Sequence, residues 1–479
     1  MRLLPVQILT VVCLALFACA GSSSSDGWIS LYDGATFDGW KASENTETFS
    51  IQDGVIVVSG NRSHLFYTGP VQNHDFQNFE FKADVLTMPQ ANSGIFIHTE
   101  YQEEGWPSKG YELQVNNSYT GNPKSPEQKV TGSLYGVRNV FTRYVPDETW
   151  FEYYIKVEGR SITVKIDGVT VMEYIEPEQP VRREGQETVR LSRGTFAIQG
   201  HDPGSTMKFK NIYVRPLPDA PMPPDTRSAA EIAYQLRVEK FQINAFPLID
   251  LHVHLKSGWD IETALQQARI NGINYGIAVN CGIGHTVEND EGARKFFQSL
   301  AGLPVFRAMQ AEGREWVDMF SDEVHEEFDY VFTDAMTFHD KQGRRMRLWV
   351  KETVFIDDPQ DFMEMYVVQI EKIINNEPID IYVNATVLPE VIRDDYDALW
   401  TPERMDRVIA ALVKNNVPME ISARYKIPSI AFVQRAKDAG VKFTFGTNNT
   451  NKDIGRLEYC MDVAETVGLD RKDMFVPGY

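Results

Sequence analysis

Five polar side chains alternate with apolar ones along two short extended segments, and their types suit chemistry better than solvation. In Gly110-Tyr111-Glu112-Leu113-Gln114-Val115-Asn116, a period of two sends Tyr111, Leu113 and Val115 to one face and Glu112, Gln114 and Asn116 to the other. In Ala197-Ile198-Gln199-Gly200-His201, Gln199 and His201 share the face opposite Ile198. Strand faces turned to plain water favour Thr, Lys and Ser, so a Glu, two Gln and a His favour a site. A carboxyl group and an imidazole there can trade protons near neutrality, and primary amides can donate to and accept from hydroxyls. Residues 79–85 alternate in the same way, with Glu80, Lys82 and Asp84 opposite Phe79, Phe81, Ala83 and Val85. For these three a solvated outer face explains the pattern as well as a site does.

A second constellation lies downstream in Asp250-Leu251-His252-Val253-His254. An extended backbone turns His252 and His254 to one side, where both imidazoles can reach one ion. Another apolar segment ends Ala311-Glu312-Gly313, and His285 and His339 each follow a further one. A surface loop histidine explains His285 and His339 as readily as a ligand does.

Two different scaffolds are needed to position these groups. Short alternating segments run through residues 28–217, at 49–51, 55–58, 79–85, 95–98, 111–115, 153–157, 162–166, 196–199 and 209–214. Asp53-Gly54, Glu158-Gly159 and Asp167-Gly168 supply turns between them. Many strands at short spacing without a helical period predict an all-β sandwich. Residues 216–224 then hold five prolines and mark a stiff linker, which with an amphipathic helix at 229–242 fills 218–245. From 246 to 479, seven apolar strands (248–254, 275–281, 305–311, 330–338, 379–385, 419–423 and 442–446) alternate with helical patterns. That order predicts a parallel sheet closed as an α/β (βα)7 TIM-like barrel, with functional residues at the carboxyl ends of its strands.

The bulk properties narrow the partners. The chain has 479 residues, 43% of them hydrophobic, and a net charge of -20. Such a surface repels phosphate backbones, which argues against nucleic acid, while neutral sugars and small cations remain compatible. Of four cysteines, Cys13 and Cys19 lie near the amino terminus and Cys281 and Cys460 lie far apart, so neither a disulfide framework nor a thiolate zinc site is expected. Residues 1–19 read as a secretory signal ending in Leu16-Phe17-Ala18-Cys19, which resembles a bacterial lipobox with Cys19 as the lipidated residue. Residues 20–27 form a Ser-rich tether. This predicts a cell-envelope lipoprotein of the periplasm or outer membrane, touching the membrane only through its anchor; the alternative is ordinary cleavage and secretion.

Leu31-Tyr32-Asp33-Gly34 and Phe37-Asp38-Gly39-Trp40 resemble the opening signature of the 3-keto-disaccharide hydrolase family. Asn92-Ser93-Gly94-Ile95, Gly110-Tyr111-Glu112-Leu113-Gln114, Thr131-Gly132-Ser133-Leu134-Tyr135 and Gln199-Gly200-His201 follow in the family's order. The resemblance implies a concanavalin-like jelly roll that cleaves glycosides oxidised at carbon 3, substrates of the kind a sugar 3-dehydrogenase would supply. A ketone at carbon 3 acidifies the hydrogen on carbon 2, so the glycosidic oxygen can leave by elimination before water adds. On this reading Glu112 and His201 divide the acid and base roles. Asn92, Gln114 and Gln199 bind hydroxyls or the carbonyl, and Trp106 and Tyr111 are sugar platforms. A paired-carboxylate glycosidase would instead draw on Glu80 with Glu112. The main alternative is a carbohydrate-binding lipoprotein that presents glycans to a structural or phosphoesterase-like barrel.

The second half resembles the PHP superfamily of metal-dependent phosphoesterases and, more distantly, amidohydrolases, through its Asp-Leu-His-Val-His start, seven βα units and Glu312. It departs from that pattern at Asn384, where the fifth strand would carry His, and at Asn448 and Asn449. Amides are poor ligands for transition metals. The expectation is one divalent ion, zinc or manganese, on His252, His254, Glu312 and His285, with Glu420 as ligand or orienting group; otherwise the barrel is structural.

Overall fold

The computed structural model describes residues 26–450 and 453–479. The expected signal segment, the lipobox with Cys19 and the tether up to residue 25 lie outside the described residues. Among the described residues no helix is long and apolar enough to cross a membrane.

The first domain is a sandwich of two antiparallel sheets. The larger runs Val169–Ile175, Ser161–Ile166, Phe151–Glu158, Phe79–Thr87, Thr206–Pro216, Val55–Ser59, Phe49–Gln52, with Ile29–Ser30 added beside Thr206–Pro216. The smaller runs Trp40–Ala42, Ser63–Tyr67, Thr195–Gly200, Ser93–Thr99, Tyr111–Val115. The alternation dictates what fills the space between them: Phe79, Phe81, Ala83 and Val85 from one sheet meet Ile95, Ile97, Leu113 and Ile198 from the other. Glu80 faces outward from the larger sheet, where Tyr154 Oη donates to it at 2.6 Å and Arg215 pairs with it. It therefore belongs to a largely buried ion pair on the sheet remote from Glu112, which removes it both as a sugar ligand and as the second carboxylate of a glycosidase.

The linker leads to the helix Ala229–Ile243, opened by a capping box between Ser228 and Glu231. The second domain is a closed parallel barrel of seven strands: Ile249–His254, Asn274–Cys281, Phe306–Ala311, Tyr330–Thr333, Ile381–Tyr382, Met419–Ser422 and Phe443–Gly446. First and last strands meet at Asp250 and Phe445. The buried Asp250 carboxylate reinforces this closure by accepting from Thr447 N (2.9 Å), Thr447 Oγ1 (2.6 Å) and Gly455 N (3.1 Å). The expected strand at 330–338 ends early, and Thr337–His339 pairs with Arg345–Arg347 in a separate hairpin. His339 is consequently exposed on a hairpin and stands apart from the strand ends.

The sandwich docks on the barrel's amino-terminal end. Phe141, from the long sandwich loop after Tyr111–Val115, is fully buried among Ile249, Leu251, Phe306, Tyr330 and Ile381 and closes the barrel floor. Around it Asn139 Nδ2 donates to Gln242 O at 3.1 Å, Asn274 Nδ2 to Asn139 O at 2.8 Å, and Arg269 pairs with Glu173 at 2.7 Å. The opposite, carboxyl-terminal mouth of the barrel holds His254 and Glu312 and faces away from the sandwich.

Candidate functional site

The outer face of the smaller sheet forms the floor of a cavity of about 480 Å³. Register assembles it: Gln114 lies across from Gly94, Glu112 across from Phe96, and Gln199 across from His64. Glu112, Gln114, Gln199, His201, Asn92 and Trp106, all singled out by the sequence, converge on this one cavity. Gly94 is required there, since a Cβ at that position would lie 2.7 Å from Glu112 Oε1.

Glu112 is the group most changed by its setting. Burial pushes its carboxyl up to about 7, partly offset by the hydrogen bond that Gln199 Nε2 donates to Oε1 at 3.0 Å. It is therefore poised between acid and base near neutral pH. Gln114 Nε2 donates to Asn92 Oδ1 at 2.5 Å, and Asn92 N donates to Ser205 Oγ at 2.9 Å. The side-chain amide oxygens of Gln114 and Gln199 are buried without a protein donor. An orphan acceptor costs free energy unless a ligand or water supplies the donor, so both are ready to receive sugar hydroxyls.

His201 stands at the rim with Nδ1 2.7 Å from Asp202 Oδ2. Burial raises Asp202, but hydrogen bonds from His201, Ser205 and Gly204 outweigh it and hold the carboxyl below its ordinary value. An ionised Asp202 fixes the proton on Nδ1 and leaves Nε2 as a base. Trp106 and Tyr119 flank the imidazole at 5.5 and 5.7 Å between ring centroids, and Trp106 is 46% exposed, a suitable platform for a sugar ring.

Tyr111 is not such a platform. Its ring is buried in the sandwich core, where its hydroxyl donates to Glu176 and receives Arg182. Residues beneath and around the cavity also carried no sequence signal. His64 is fully buried beneath Trp106 and Phe96, with both ring nitrogens unpartnered and its pKa pushed down to about 3 by burial. It serves as a neutral aromatic support. Glu127 is held by Lys129 at 2.6 Å, and Tyr135 Oη donates to it at 3.3 Å.

The barrel mouth has its own cavity of about 320 Å³, lined by His254, Glu312, His285, Asp334 and Lys256 among others. His252 lies beneath it, with Nδ1 bound to Glu420 Oε1 at 2.7 Å and Nε2 3.4 Å from Gln310 Oε1. His254 Nδ1 donates to Ala278 O at 3.1 Å. Asn280 Nδ2 bridges Gln310 Oε1 (3.0 Å) and Glu312 Oε1 (2.8 Å), and Asn384 Nδ2 donates to Asp334 Oδ2 at 2.8 Å. Amides thus occupy bonding positions where a metal site would need anionic or imidazole donors. Among the described residues no group of three His, Cys, Asp or Glu is arranged to hold an ion. His252, His254 and Glu312, expected to hold one zinc or manganese, are each engaged in these hydrogen bonds.

Gly446 packs under this cluster, where a Cβ would fall 2.0 Å from Glu420 Oε1 and 2.7 Å from His252 Cβ. Gly446→Ala should therefore pry apart the buried His252–Glu420 pair and cost about 1–3 kcal/mol, read from urea unfolding.

The sequence profile of the 3-keto-alpha-glucoside-1,2-lyase-like domain matches residues 27–215, which makes this part of the chain a 3-keto-disaccharide hydrolase-like domain. Among solved structures, a candidate glycosyl hydrolase from Parabacteroides distasonis ATCC 8503 aligns with 22% identity over 40% of this chain and 95% of its own, at a TM-score of 0.35. A second candidate glycosyl hydrolase from the same organism gives 22% identity over 37% and 99%, at 0.30. The carbohydrate binding module CBM66 from Bacillus subtilis gives 11% identity over 37% and 96%, at 0.26. No curated protein matches the chain.

Proposed function

We propose that the sandwich cleaves 3-keto-glycosides by elimination followed by hydration. The observation that carries this reading is the meeting, in one cavity, of a carboxyl group held near neutrality with an imidazole oriented by an ionised aspartate. His201 Nε2 takes the proton from carbon 2, and the electron pair moves toward the carbon 3 oxygen as an enolate. Asn92, whose carbonyl is engaged by Gln114, offers its amide NH2 to that oxygen. The enolate collapses with loss of the bond from carbon 1 to the glycosidic oxygen, which Glu112 protonates as it leaves. Water then adds to carbon 1, giving its second proton to Glu112, and His201, whose Nε2 proton has exchanged with solvent, protonates carbon 2. The orphan oxygens of Gln114 and Gln199 hold hydroxyls, and Trp106 supports the ring.

The full-length protein incubated with 3-keto-disaccharides in D2O should release both sugars, with deuterium at carbon 2 of the oxidised one. His201→Asn should lower kcat about 100- to 10,000-fold. Turnover without deuterium would point to direct displacement. Binding of glycosides with no turnover of their 3-keto forms would make the domain a binding module.

A further inference from the structure

The sandwich cavity is not walled by the sandwich alone. Ile243, which ends the linker helix, and Arg471, from the short turn Arg471–Asp473 that follows the last barrel helix, both line it. Two reciprocal contacts hold this wall: Arg471 donates to the carbonyl of Pro126 in the sandwich, and Arg183 of the sandwich donates to the carbonyl of Ile243. Each guanidinium is thus tied to a backbone oxygen, and among the described residues neither has a carboxylate within ion-pair distance. Arg182, next in sequence, differs: it is committed to Glu176 and Glu239 at 3.6 and 3.5 Å. The carboxylates lining the cavity do not pair with them either: Glu127 is engaged by Lys129 at 2.6 Å, and among the described residues neither it nor Glu112 lies within ion-pair distance of Arg183 or Arg471. A chain with a net charge of -20 therefore places two uncompensated cations on one wall of one cavity. Guanidinium groups with free donors bind planar or tetrahedral oxyanions through paired hydrogen bonds.

We propose that Arg183 and Arg471 form a subsite for an oxyanion, a carboxylate or sulfonate-type group, on the aglycone of the glycoside bound in this cavity. The barrel thereby takes part in substrate choice, since the sandwich without it lacks one of the two cations. This rests on the cavity being a glycoside site, though not on the elimination chemistry.

Calorimetric titration of the full-length protein with para-carboxyphenyl, para-sulfophenyl and para-carbamoylphenyl glucosides tests it, because these unoxidised probes need no turnover. At least one of the two anionic glucosides should bind about tenfold more tightly than the neutral carbamoyl one, and which of them leads identifies the anion. The advantage should shrink with added salt. Arg183→Gln with Arg471→Gln keeps an amide donor for each backbone carbonyl and should bring the ratio to within about twofold, while Arg471→Lys retains most of it. Equal affinities in the wild type, an anion preference that survives the double Gln variant, or no binding of any of the three would overturn the proposal. Turnover of a neutral 3-keto-disaccharide, assayed in parallel, separates the two readings. Anion preference without turnover sinks the elimination mechanism alone, and turnover without anion preference sinks the subsite alone.

Discussion

Glu112→Gln should abolish turnover and stabilise the protein in the same stroke. The amide keeps the volume of the carboxyl and still accepts from Gln199, but it cannot deliver a proton to the leaving oxygen, so kcat should fall at least about 100-fold. The stability gain follows from linkage. The folded state holds the Glu112 proton up to about 7, against an ordinary value of 4.5, so the native protein binds more protons than the unfolded chain between those values. Stability is fully present below pH 4.5, declines as pH rises, and stays lower above 7. At 1.36 kcal/mol per pKa unit this displacement corresponds to about 3 kcal/mol, which the opening of the side chain to the cavity reduces to about 2. The substituted amide carries no such cost, so urea unfolding at pH 8 and at pH 4.5 should show the variant gaining on the wild type only at the higher pH. Equal gain at both would mean that Glu112 is not the group being desolvated. The same proton sets an activity limb: kcat/KM should fall as pH rises through about 7, because the acid must be protonated.

Arg182→Met should be the most damaging single substitution in the sandwich, costing about 3–5 kcal/mol in chemical denaturation. The Arg182 side chain is only 6% exposed and lies between Glu176 and Glu239, each 1% exposed. It also donates to the carbonyl of Val181 at 2.6 Å and to Tyr111. Methionine matches the stem but leaves two buried carboxyls without their shared cation. Adding Glu176→Gln should recover part of the loss, since a neutral amide can stay buried beside Tyr111 and Leu191 N at lower cost. For comparison, Arg435→Met removes an exposed pair with Asp406 and should cost less than about 1 kcal/mol. Similar losses from both would mean that the Arg182 cluster is more hydrated than its burial implies.

Sequence alternation located most of the cavity because period two is a property of single strands. It put Glu112 and Gln114 on one side of Tyr111–Val115 and Gln199 with His201 on one side of Thr195–Gly200, and the register then joined the two sets. It cannot say which sheet a strand joins, and Glu80 was misplaced for that reason. Tyr111 stood on the face opposite Glu112 by the same rule, so the pattern argued against it as a sugar platform. Ser63–Tyr67 is buried on both faces and shows no alternation, which hid the strand and His64 with it. In the barrel, all seven strands were legible as apolar runs, but the fifth is reduced to Ile381–Tyr382 and the fourth breaks before Asp334. A run of apolar residues reports burial, whatever local structure the buried residues adopt. Arg471 lies 288 residues after Arg183, and no pattern along the chain could have paired them.

Phe141 carries a consequence for how the two domains can be inherited. The proline-rich segment joins them covalently, yet the aromatic ring in the barrel floor makes each depend on the other for a finished interior. A sandwich expressed alone would present a large apolar side chain to water, and a barrel expressed alone would be left with a ring-sized void at its base. Shuffling either half onto another neighbour by recombination at residues 216–224 would therefore yield two destabilised products. The selectable unit is the pair, and its boundary runs through the packing of one phenylalanine as much as through the linker.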